Sequence, residues 1–186
     1  GTATLTATTK DGKKTSVSVE LEVVGETASY SKTITGGNIY YNTVTGVIVD
    51  ADSSVISANI PSRIGDTTIT GIAPRAFRHT DWWAENTTLT NVMIPNTVTY
   101  IGEEAFSNCT ALALLDLGNG VTTIENEAFY NCKALANLTI PESVTSIGSS
   151  AFYNCKRLTG INIPNSVTSI GEGAFSFCDG LTSIEI

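Results

Sequence analysis

Histidine occurs once in the 186 residues, at position 79, and methionine once, at position 93. A single imidazole excludes most hydrolytic and zinc-dependent chemistry, because Ser-His-Asp, Cys-His and most zinc constellations would all have to share it. Basic residues are also scarce: ten Lys and Arg stand against eighteen Asp and Glu, a net charge of −8. Nucleic acids and anionic membranes draw their affinity from clustered Lys and Arg, so both are excluded as partners. No apolar run reaches the roughly 18 residues that a membrane-crossing helix needs. The opening residues, GTATLTATTKDGKK, lack the basic and apolar stretches of a secretory leader and read as a start inside a larger protein. Charged residues make up 15% of the chain and hydrophobic ones 41%, a balance that buries a core instead of leaving the chain disordered.

A repeat dominates the second half. Phe106, Phe129, Phe152 and Phe175 are 23 residues apart, as are Cys109, Cys132, Cys155 and Cys178. Further columns run through Val98, Val121, Val144 and Val167, and through Ile101, Ile124, Ile147 and Ile170. Two more link Leu89, Leu112, Leu135, Leu158 and Leu181, and Ile94, Leu117, Ile140, Ile163 and Ile186. Repetition at a fixed interval of 20 to 50 residues marks a stacked architecture, since one such unit cannot bury its apolar columns alone.

Each unit opens L-x-x-I-x-I, and period-two alternation in Leu158-Thr159-Gly160-Ile161-Asn162-Ile163 puts one side-chain set inward and the other outward along a short strand. Five such strands are expected, at 89–95, 112–117, 135–140, 158–163 and 181–186. Pro141 and Pro164 end theirs early. In A-F-x-x-C, the three-residue spacing predicts one helical or 3₁₀ turn pointing Phe and Cys inward. Gly102, Gly148 and Gly171 precede that turn, where a positive φ or a close backbone approach is expected.

The segments IGEEAFSNC (101–109), IENEAFYNC (124–132), IGSSAFYNC (147–155) and IGEGAFSFC (170–178) resemble the BspA-like bacterial leucine-rich repeats, closely over 98–186 and loosely over 60–97. Glu125 departs from the turn glycine, and Gly118-Asn119-Gly120 from the proline exit. The resemblance implies a right-handed leucine-rich-repeat solenoid with a parallel β-sheet on its concave face and short 3₁₀ or helical turns on its convex face. It also implies a secreted or cell-surface bacterial interaction module.

Ile60-Pro61 and Ile72-Ala73-Pro74-Arg75-Ala76-Phe77 look like a first, lengthened repeat, and HTDWWAENTT carries a six-residue insertion before the next. Residues 25–59 read as lead-in strands forming an N-terminal cap, and 60–186 as repeats. Residues 1–24 alternate on both sides of Lys10-Asp11-Gly12-Lys13, a β-hairpin signal. The hairpin resembles the closing strands of a Big-type bacterial immunoglobulin-like domain. Ile186 ends the chain on a core position, and raw strand edges at both ends predict end-to-end self-association.

The four cysteines sit one per coil at a packing position and read as buried free thiols, because a ladder of identical rotamers rarely meets disulfide geometry. No C-x-x-C spacing supports zinc. His79 lies beside Asp81, but no motif places an activated Ser or Cys next to it, so it reads as a loop residue and the chain as no enzyme. Asp50-Ala51-Asp52-Ser53-Ser54 lacks the central Gly and terminal Glu of a calcium loop and reads as a turn. No cofactor is implied. Trp82 and Trp83 would either stack on a sugar or protein partner or cover the seam between cap and first repeat. Tyr130 and Tyr153 form either an exposed stripe or simple packing between coils.

The outward strand residues form the candidate binding surface. One ladder holds Asn91, Leu114, Asn137, Gly160 and Ser183; the other holds Met93, Asp116, Thr139, Asn162 and Glu185. Short polar side chains with two acids suit hydrogen bonding to another protein or to a glycan and do not suit catalysis. A structural spacer presenting its neighbours is the competing reading.

Overall fold

The computed structural model describes residues 2–8, 14–20, 29–79, 81 and 83–185. Thr2–Thr8 and Lys14–Glu20 pair antiparallel, Thr2 opposite Glu20 and Thr8 opposite Lys14, as the alternation on either side of the KDGK turn predicts. The turn itself lies outside the described residues.

The body is a β-solenoid of about six turns with no helix among the described residues. Two parallel ladders run along it. In the first, Ser57–Asn59, Asn91–Met93 and Leu114–Asp116 pair in register, and Gly160–Asn162 pairs with Ser183–Glu185. The second joins Val47–Ala51, Gly71–Ile72, Tyr100–Ile101, Thr123–Ile124, Ser146–Ile147 and Ser169–Ile170. At its start, Ser29–Ile34, Gly37–Asn42 and Val47–Ala51 close it as an antiparallel meander, the expected β cap.

The second ladder was not legible as strands, because its two-residue segments are too short to show alternation. Its V-T-x-I sequence nonetheless explains it. Val and Ile are buried at 98, 101, 121, 124, 144 and 147, with Ile170 of the last coil exposed, and each Thr bonds backward with two groups at once. The Thr122 N–H and Oγ1–H both donate to the Thr99 carbonyl, at 2.8 and 2.9 Å, and Thr145 and Thr168 repeat the arrangement one coil on.

Two expectations are corrected. The A-F-x-x-C stretch is a chain of tight turns instead of a helical one: Ala105 N–H donates to Gly102 O and Cys109 N–H to Phe106 O. Glu104 and Asn108 have φ of 56° and 62°, and Glu127, Asn131, Ser150 and Asn154 repeat these values. A left-handed residue every fourth position breaks the run of right-handed residues that a helix requires. It also turns alternate amides toward the next coil, so Phe77, Phe106, Phe129 and Phe152 N–H each bond an alanine carbonyl there at 2.8 Å. The turn glycines serve close approach, not positive φ: a Cβ on Gly148 would lie 2.5 Å from Asn126 N, and one on Gly171 2.3 Å from Ser149 N.

The second correction concerns 135–140, expected as a strand. Leu135, Leu138 and Ile140 are buried as the alternation predicts, but the segment belongs to neither ladder. Asn137 to Ile140 make no hydrogen bond to the coil on either side, so the first sheet is split there.

The core is a set of columns. Phe77, Phe106, Phe129, Phe152 and Phe175 stack along the axis with centroids 4.7 to 5.4 Å apart and planes within 15°. The first coil departs from the cysteine column: Asn86, three residues before Leu89, is buried, with its Nδ2 donating to Phe77 O and its Oδ1 accepting from Thr88 and Leu89 N–H. That set of bonds satisfies an amide where the other coils carry a thiol.

Candidate recognition groove

Alternation along each strand decides which side chains face out, and the parallel register decides which become neighbours. Asn91 lies opposite Leu114 and Met93 opposite Asp116. Ser57 and Asn59 extend the ladders by one coil, from a stretch read as lead-in. A groove of about 520 Å³ opens on this surface, lined by Asn91, Met93, Leu114, Asp116, Asn137 and Thr139 together with Ser57 and the backbone between them. Six of the ten predicted ladder residues therefore share one depression. Asn162 and Glu185 do not join them: both are exposed, on the strand pair beyond the split.

The groove has an apolar floor and polar flanks. Met93 is 50% exposed and Leu114 60%, an unusual concentration of apolar surface in an otherwise polar ladder. Beneath them Leu115 is only partly buried, although its counterparts Val92, Leu138 and Ile161 are buried, so the split uncovers one core residue. Asp116 is the one ionisable residue in the lining, and its Oδ1 accepts from Gly118 N–H at 3.0 Å.

A second groove, of about 370 Å³, follows the other ladder and was not foreseen. Thr123, Ser146 and Ser169 line it as a row of hydroxyls, one per coil, beside Glu103 and Glu125. The Glu125 carboxylate is engaged, accepting from Glu103 N–H at 2.9 Å. This groove offers no comparable apolar floor.

His79, the Asp52 turn, the tyrosine pair and the cysteines are each tied into the surrounding structure. His79 Nδ1 accepts from the backbone N–H of Asp81 at 3.1 Å, a local turn contact and not a carboxylate–imidazole pair. Trp83 is 68% exposed on the insertion, while Trp82 lies outside the described residues. The insertion is tied across two coils by Glu85, which accepts from Thr110 Oγ1 and pairs with Lys133 Nζ at 2.6 Å. Lys133 and Thr110 together hold the Glu85 carboxyl below its ordinary range. Tyr130 and Tyr153 stack at 4.9 Å and are half-buried, and Phe177 continues the row.

Asp52 clasps the cap: its Oδ2 accepts from Asn38 N and Nδ2 at 2.8 and 2.9 Å, and its Oδ1 accepts from the Tyr40 hydroxyl at 3.0 Å. Such occupied oxygens are the ties of a turn, as expected. All four cysteines are free and buried, each thiol donating to a phenylalanine carbonyl at 3.2 to 3.5 Å. Burial pushes the Cys109 and Cys132 thiols up, away from the reactive thiolate. No group of three His, Cys, Asp or Glu suited to a metal ion occurs among the described residues.

Comparison with known proteins agrees with this architecture. The family model described as BspA type leucine-rich repeat region matches residues 70–186 in six copies. A leucine-rich repeat protein from T. pallidum is similar at 34% identity and a TM-score of 0.68, over 74% of this chain and 62% of that one. One from Bacteroides ovatus is similar at 27% identity and 0.64, over 90% of this chain and 41% of that one. One from Bacteroides capillosus, at 21% identity and 0.53, shares the fold over 83% of this chain and 96% of that one. The chain thus spans about two-fifths to three-fifths of the length of the first two. No curated protein matches it.

Proposed function

Since the chain belongs to the BspA-type leucine-rich repeat family, we propose that it is a non-enzymatic recognition module of a bacterial surface or secreted protein, holding another macromolecule in the groove of the first sheet. The observation that carries this reading is the exposure of Met93 and Leu114 side by side on that sheet, within a polar rim of Ser57, Asn91, Asp116, Asn137 and Thr139. An apolar centre inside a hydrogen-bonding rim is the anatomy of a binding interface. A surface that served only as a spacer would gain nothing from keeping leucine and methionine in water. The surface or secreted setting rests on the family, whose members are typically found there. The Thr2–Glu20 hairpin fits the closing strands of an immunoglobulin-like domain in the same protein, supported by its antiparallel pairing alone.

The test is binding to arrays of extracellular proteins and glycans, with Leu114→Arg/Asp116→Arg as the comparison. Both side chains are exposed, so the fold survives the change. Saturable binding that weakens at least tenfold in the variant is expected; binding that the variant retains overturns the groove as the site. Silence on both arrays overturns the recognition reading in favour of the spacer.

A further inference from the structure

The groove of the first sheet holds one charge, and what surrounds that charge narrows the partner. Asp116 lies opposite Met93 in the parallel register, and Leu114, two residues earlier on the same strand, faces the same side. The Asp116 carboxylate is exposed and half-engaged: Oδ1 accepts from Gly118 N–H at 3.0 Å, while Oδ2 has no partner among the described residues. Asn91 stands opposite Leu114, and Asn137 and Thr139 follow one coil on. None of these three side chains forms a hydrogen bond among the described residues. Free side-chain oxygens therefore ring an exposed apolar centre of Met93 and Leu114. The lining holds no basic residue and no aromatic one. With no cation in the groove, on a chain of net charge −8, anionic groups are turned away and a cation is drawn in. With no aromatic ring, a sugar has no face to stack on.

We propose that the groove takes an arginine side chain of a partner protein, its methylenes lying on Met93 and Leu114 and its guanidinium pairing with Asp116. The proposal rests on the groove being the recognition site and adds the chemistry of its ligand. Arginine lays an aliphatic stem along apolar surface while its head stays among polar groups. The groove is divided in the same way, with apolar Leu114 and charged Asp116 on one face of one strand. The guanidinium carries five N–H donors in a planar fork and no acceptor. What the groove offers are acceptors: Asp116 Oδ2 and the side-chain oxygens of Asn91, Asn137 and Thr139. Lysine presents a compact, strongly hydrated charge with fewer donors and gains less from a partly apolar site. A neutral apolar side chain would cover Met93 and Leu114 but leave the carboxylate desolvated without a partner.

The experiment titrates the full chain with acetyl-arginine amide and follows the Met93 and Leu114 methyls and the Asp116 amide by NMR. Three further probes take the ligand apart. Acetyl-citrulline amide keeps the stem and shape without the charge, acetyl-lysine amide keeps a charge without the fork, and glucosamine carries a cation without the stem. Arginine is expected to shift these signals about fivefold more steeply than citrulline or glucosamine, the scale of one exposed ion pair, and more steeply than lysine. Asp116→Asn can still accept from Gly118 N–H and loses only the charge, so it should reduce the arginine response to the citrulline level. Citrulline, lysine or glucosamine matching arginine, shifts confined to the second groove, an unchanged response in Asp116→Asn, or no response at all each overturns the proposal. If arginine gives no response while an array ligand binds and is lost in Leu114→Arg/Asp116→Arg, the groove stands as the site and the arginine assignment alone falls. If that array ligand is unaffected by the variant, the groove falls as the site, and the proposal with it.

Discussion

Asparagine at 108, 131 and 154 meets two demands at one position. Each adopts φ near 60°, which asparagine tolerates better than most side chains, and each links to the next: Asn131 Nδ2 donates to Asn108 Oδ1 and Asn154 Nδ2 to Asn131 Oδ1, both at 2.7 Å. The two contributions are separable. Asn131→Gly removes the two amide bonds but keeps the backbone conformation unstrained. Asn131→Ala removes the same bonds and adds the cost of a left-handed alanine, about 1 to 2 kcal/mol. The alanine variant is expected to be the less stable by about 1 kcal/mol in urea denaturation, the flexibility of unfolded glycine absorbing part of the difference. Equal midpoints would show that the strain at this position is no larger than the unfolded-state entropy that glycine adds.

At the scale of an element, the cap is held by the Asp52 clasp, and its strength follows pH at both ends. Hydrogen bonds from Asn38 and from the Tyr40 hydroxyl hold the Asp52 carboxyl below the ordinary carboxylate value, and the same carboxylate raises the Tyr40 phenol above its own. For Asp52 the lowered value means its stabilisation is present above the ordinary carboxyl pKa, about 3.9, and is lost as pH falls through the folded value. For Tyr40 the raised value means its stabilisation is complete below about 10 and is lost as pH rises through the folded value. Protection of the Gly37–Asn42 amides is therefore expected to be flat between those limits and to fall outside them. In Asp52→Ala the protection should be weaker throughout, with both pH-dependent edges diminished. An unchanged profile would remove Asp52 from the stability of the cap.

Across the whole molecule, stability in a solenoid is a sum of coil and interface terms, so position along the axis matters as much as residue type. Phe129 stacks on Phe106 and Phe152 and is fully buried, whereas Phe175 in the last described coil stacks on Phe152 and is only partly buried. Phe129→Ala is expected to cost about 3 to 5 kcal/mol, the range for a buried phenylalanine, and to disrupt both halves at once. Phe175→Ala should cost less and fray only the coils beside it. Calorimetry and amide exchange separate these outcomes, and equal costs would argue against local, coil-by-coil energetics.

The 23-residue period, the inward columns, the phenylalanine stack, the buried thiols and the identity of the outward ladder residues were all legible in the sequence. Each follows from burial within one coil, repeated, and burial is written in the alternation and spacing of apolar residues. Some features lay outside that reading. The second ladder has strands too short for a periodic signal. The turns are set by left-handed backbone at Glu104 and Asn108, residues whose identity alone does not demand it. Only the tertiary structure decided that Asn91, Met93, Leu114, Asp116, Asn137 and Thr139 meet around one groove, and that Asn162 and Glu185 stand apart. The reason is that register between coils, and its loss at Asn137 to Ile140, depends on how two neighbouring coils share all their backbone bonds. A repeat can state what each coil buries, but not where two successive coils fail to pair.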